Sequence, residues 1–102
     1  MDENDFAIRL AKLRMLKGIS ARDMSLSLGQ NAGYIYDIES GKSLPSLSVF
    51  FCICDYLGMA PSEFFDEGNS NPIQLREAID LLRKLNDRQL KNVIALMKDI
   101  VG

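Results

Sequence analysis

The chain has 102 residues, 47% apolar and 25% charged. That composition suits one compact domain with a small appendage, whose core needs neither disulfides nor a metal. Its net charge is −2 and its pI near 5.0, so contact with nucleic acid would depend on Lys and Arg gathered on one face. No apolar run approaches the roughly 18 residues of a membrane span, and the acidic start MDENDFAIRL lacks the apolar region of a signal peptide, so a cytoplasmic protein is expected.

The first predicted helix runs from Phe6 to Lys17. Phe6, Leu10, Leu13 and either Leu16 or the stem of Lys17 form its apolar stripe, and Gly18 stops it. Ile8 and Met15 fall off that stripe. Ser20, followed by Asp23 three positions on, reads as the capped start of a second helix, Ser20 to Leu28, with Met24, Leu26 and Leu28 as contacts. Gly29 breaks it. Asn31 reads as the cap of a third helix ending near Ser40, with Tyr34, Ile35 and Ile38 facing inward and Gly33 inside it at some cost in helix propensity. Two short helices about a tight glycine turn form a helix-turn-helix, in which the second helix is the usual reader of a DNA major groove.

Residues 40–45 read as a loop. Ser46 caps a helix to about Leu57, with Leu47, Phe50, Ile53, Cys54 and Leu57 on its buried face and Val49, Cys52 and Tyr56 on a second apolar strip. Pro61 opens a short helix to about Phe65, where Phe64 and Phe65 close the core. The polar run 66–71 reads as a linker or tight loop. Asn71-Pro72 starts a further helix with Ile73, Ala78, Ile79, Leu82 and Leu85 apolar. Asn86, with Gln89 three positions on, caps a last one striped by Leu90, Val93, Ile94, Met97, Ile100 and Val101. An isolated pair cannot bury that much apolar surface, so these helices must meet the first domain, each other or a second copy. Arg83, Lys84, Arg88, Lys91 and Lys98 alternate with acids and read as a solvated face. No strand pattern appears. Cys52 and Cys54 read as core filling in preference to redox sensing, and with no histidine they are too few for zinc.

These helices and motifs resemble the phage-repressor-like helix-turn-helix domain, the family of lambda repressor and Cro, or XRE family. The residues that carry the resemblance are Leu10, Leu13 and Arg14; Gly18-Ile19-Ser20; Gly29; the run Tyr34 to Gly41; Pro45-Ser46; Leu57-Gly58; and Phe64-Phe65. The resemblance covers about Phe6 to Phe65. It implies an all-α, five-helix DNA-binding domain at 1–66, beyond which the residues read as a linker at 67–71 and a two-helix extension at 72–102. The resemblance also implies an Arg14–Glu39 salt bridge that serves as scaffold.

DNA contact is expected at Arg22, Asn31, Ala32, Gly33, Tyr36, Asp37, Lys42 and Ser43. Helix N-termini at 20–22 and 31–33 offer unpaired N–H groups to phosphates. Arg22 and Lys42 are the foremost charged partners, followed by Arg9 and Lys17. In complexes of the family, the loop holding Lys42 runs beside the DNA backbone. Asn31 and Tyr36 can hydrogen-bond base edges, Ala32 and Gly33 permit close approach, and Asp37 can accept a cytosine amino proton while repelling phosphate. Two departures fall on this surface: Ala21 stands where the family often has Gln, and Gln30 where it often has a small apolar residue. The recognition helix also has no Lys or Arg.

Homodimerisation through the extension is expected, with docking onto the first and fifth helices of the same chain as the alternative. The leading functional expectation is a dimeric transcriptional regulator, a repressor, on a palindromic operator in double-stranded DNA. The other is a protein-interaction or antitoxin-like module on the same scaffold, motivated by the acidic balance, Asp37 and the strip Val49, Cys52 and Tyr56. No cofactor, metal or small-molecule substrate is evident, and no nucleophile is paired with a base, so enzymatic activity is not expected.

Overall fold

The computed structural model describes residues 1–68 and 70–102. Seven helices follow one another among them: α1 (Glu3–Lys17), α2 (Ala21–Ser27), α3 (Tyr34–Glu39), α4 (Leu47–Leu57), α5 (Pro61–Phe64), α6 (Pro72–Leu82) and α7 (Asp87–Val101). The described residues contain no strand.

Local chemistry sets most helix ends. Ser20 Oγ accepts from Asp23 N at 3.0 Å, Ser46 Oγ from Val49 N at 3.2 Å and Asn71 Oδ1 from Gln74 N at 3.2 Å. At α7 the box closes both ways: Asn86 Oδ1 accepts from Gln89 N at 2.8 Å, and Gln89 Oε1 from Asn86 N at 3.1 Å. Gly18 ends α1 at φ +76°, and Gly29 turns the chain between α2 and α3 at φ +74°; an L-residue with a side chain would be strained at either point.

Two starts differ from the sequence expectation. α1 begins three residues earlier, because Asp2 and Asp5 form a reciprocal capping box. The amide of Asp5 draws the Asp2 pKa below its ordinary value. α3 begins at Tyr34, with Gly33 as its N-cap rather than an interior residue. Asn31 instead forms a side-chain turn, its Oδ1 accepting from Gly33 N at 3.1 Å.

α1 to α5 enclose one core built from Phe6, Leu10, Leu13, Met24, Ile35, Ile38, Phe50, Ile53, Cys54, Leu57, Met59 and Phe64. Aromatic rings anchor it: Phe50 meets Phe64 edge-on at 5.2 Å between centroids, and Phe6 lies 5.0 Å from Phe64. Four expected core positions are not buried. Leu16, Leu26 and Phe65 are exposed, and Leu47, in the first turn of α4, is 68% exposed. Conversely, Val49 and Tyr56 pack against the core, leaving Cys52 as the exposed member of the expected second strip.

The extension departs from this compact body. Its start is held: Pro72 is buried and Ile73 packs on the core. α7 has no buried residue. The molecule measures 50 × 25 × 22 Å with a radius of gyration of 16.7 Å, against about 13 Å for a compact chain of this length. α6 meets α5 through the Arg76–Glu63 ion pair, whereas α7 buries no residue on the domain.

Candidate nucleic-acid interface

The short recognition helix α3 is held from two sides. Its inner face places Ile35 and Ile38 in the core. At its C-terminal end Glu39 receives a bidentate arginine: Arg14 Nε donates to Oε2 at 2.8 Å and Nη2 to Oε1 at 2.9 Å. Arg14 Nη1 also donates to the Ile19 carbonyl at 2.8 Å, so one guanidinium ties α1, the turn before α2 and α3. The hydrogen bonds that Arg14 donates to Glu39 push the Arg14 pKa further above its already high value. With 16% and 12% of the two side chains exposed, removing one partner would cost about 3–5 kcal/mol.

At its N-terminal end α3 has no cap of its own, since Gly33 has no side chain. The cap comes from α2. Ser25 is fully buried; its Oγ donates to the Ala21 carbonyl at 2.7 Å and accepts from Ile35 N at 3.0 Å. One hydroxyl thus satisfies an otherwise orphaned amide at the start of α3 and sets the register of α3 on α2. The sequence reading missed Ser25, because a serine inside a helix carries no local sign of such a role.

Asn31 and Gly33 are exposed and Ala32 is half-buried in the turn before α3. Asn31 spends one lone pair on Gly33 and keeps its amide nitrogen free to donate. On α3, Tyr36 is 62% exposed, and Asp37 is half-buried with its carboxylate in no ion pair among the described residues. The Asp37 carbonyl accepts from Lys42 N at 2.9 Å, which folds the following loop back against α3. Lys42 and Ser43 share an open hollow of about 250 Å³ with Glu3, Ile38, Gly41 and Leu44. Arg22 is exposed in the first turn of α2, with no ion pair to the others. The turn, α3 and the loop are contiguous along the chain, and Arg22 lies on the neighbouring helix α2.

Two expected phosphate partners have other work. Arg9 is 5% exposed; its Nε donates to the Phe64 carbonyl at 2.7 Å, and its Nη2 to the carbonyls of Glu63 at 2.9 Å and Asp66 at 3.0 Å. It caps the end of α5. Lys17 donates to the Tyr56 carbonyl, with its ammonium 4.8 Å from the centre of the Tyr56 ring. Counting Arg14, half of the six cations before residue 66 stabilise the fold. Lys12, Arg22 and Lys42 remain exposed, and only the last two belong to the expected interface.

No helix among the described residues is long and apolar enough to cross a membrane, and no cluster of three His, Cys, Asp or Glu could hold a metal.

The arrangement is that of a helix-turn-helix domain. A family model described as helix-turn-helix matches residues 10–64, more than half of the chain. The protein belongs to that family, in its phage-repressor-like (XRE) branch of DNA-binding regulators. No curated protein and no solved structure matches the chain.

Proposed function

We propose that the protein is a homodimeric repressor that binds a palindromic operator, reading bases through Asn31 to Asp37 and holding phosphates through Arg22, Lys42 and Ser43. The observation that carries this reading is the pairing of a rigidly mounted recognition helix with a bare apolar helix. Ile94, Met97 and Ile100 of α7 are exposed, and Leu96 and Val101 widen the same face. A helix of 15 residues with nothing buried is marginal by itself. A face this broad suits more than one facing helix, as when two α6–α7 pairs form a four-helix bundle. Two-fold symmetry then presents two recognition helices to half-sites about 34 Å apart. A cytoplasmic location accords with this role. Repression would follow from occupying a promoter-overlapping site.

The test is a paired substitution, Met97→Glu with Ile100→Glu, on the exposed face of α7. The expected product sediments as a monomer, keeps the thermal stability of α1–α5 and loses at least a hundredfold in affinity for a duplex with two half-sites. A dimer with unchanged affinity would refute the role given to α7. A protein-partner reading has one specific observation behind it: Leu44, Leu47, Phe51 and Phe65 are all exposed on the DNA-binding domain.

A further inference from the structure

We infer that the start of α6 is a rigid mount that fixes the orientation of the extension, so that Ile73 and Arg76 determine which half-site spacing the dimer accepts. The inference rests on the dimeric DNA reading above.

Two anchors bracket the junction. On the near side, Arg9 Nη2 donates to the carbonyls of Glu63 and Asp66 at 2.9 and 3.0 Å, pinning the end of α5 and the first residue beyond it. On the far side, Pro72 is fully buried and Ile73 packs on the core of the DNA-binding domain. One turn later, Arg76 Nη1 lies 3.5 Å from Glu63 Oε1. That same carboxylate oxygen accepts from Ala60 N at 3.0 Å, which orients it toward α6. Ile73 and Arg76 lie three positions apart, on one face of the helix. A helix held at its first residue and again a turn later cannot swivel freely about its attachment.

The consequence is geometric. Changing the operator spacing by two base pairs moves one half-site by about 7 Å and rotates it by about 70°. An extension joined to the domain only by a loose tether would absorb that change; one seated through Ile73 and Arg76 does not. Spacing selectivity therefore comes from the α6 mount and not from the recognition helix.

The experiment measures affinity for duplexes whose half-sites are spaced at the optimum and at one or two base pairs either side. Wild type should lose at least tenfold at two base pairs from the optimum. Ile73→Ala with Arg76→Ala should lose less than threefold, with dimer state and single-half-site affinity unchanged. Arg76→Glu, at a partly exposed position, sets like charges against Glu63, keeps the core intact and should broaden the profile in the same direction. Wild-type sharpness in both variants, or no spacing preference in a dimeric wild type, would overturn the mount alone. A monomeric wild type would overturn the dimeric reading and the mount with it.

Discussion

Replacing Ser25 by Ala tests how α3 is mounted. The hydroxyl is fully buried and its partner Ile35 is fully buried as well, so no water can take over the Ile35 amide at the site of the 3.0 Å bond. A buried amide left without an acceptor costs about 1–3 kcal/mol. Alanine returns about 0.5 kcal/mol of helix propensity to α2. The net loss is about 0.5–2.5 kcal/mol, which lowers Tm by about 2–20 °C in a domain of this size. Thermal unfolding followed by far-UV circular dichroism measures it, with the exposed Ser27→Ala as a neutral control. Hydrogen exchange adds a local readout, since the Ile35 amide should exchange faster than the amides of Leu10 and Ile53. A Tm within 2 °C of wild type, with Ile35 still protected, would refute the claim that Ser25 caps the recognition helix.

Salt dependence measures the low charge of the interface. With Arg22 and Lys42 as the phosphate cations of each copy, log Kobs for a dimer should fall against log salt with a slope of about −4, and of about −2 in Lys42→Ala. An unchanged slope would remove Lys42 from the phosphate contacts. The two cysteines should separate by reactivity. Burial pushes the Cys54 thiol up to about 11, while Cys52 is exposed. At pH 8 a thiol reagent should label one group per native chain, at Cys52, and a second only on unfolding. Because the folded value is raised, the stability contributed by the neutral Cys54 thiol is fully present below pH 9 and is lost as pH rises towards 11. Stability of Cys54→Ala should accordingly vary less with pH across that window than that of the wild type. Equal labelling of both thiols in the native chain at pH 8 would contradict this burial.

The fold was legible where its cause is local. Ser20, Ser46, Asn71 and Asn86 each cap the helix their spacing announces, and apolar periodicity marked most of the core. The Arg14–Glu39 pair followed from family resemblance. What escaped the sequence reading is tertiary. Ser25 caps a helix other than its own. Arg9 looks like any surface arginine until α5 arrives beneath it, 54 to 57 residues further along the chain. Asn31 carries the chemistry of an N-cap but spends it on a turn, so the recognition helix is shorter than its sequence suggests. Leu47 fits the helical stripe but lies in the first turn of α4, where the core no longer reaches.

The central claim is that this weakly charged domain reads DNA as a dimer. Selection of bound sequences from a random duplex pool at about 100 mM salt tests it most directly, since screening there still leaves phosphate contacts measurable. Enrichment of a palindrome with half-sites about one helical turn apart is the predicted result. Recovery of no enriched sequence, from protein shown to be folded and dimeric, would contradict it.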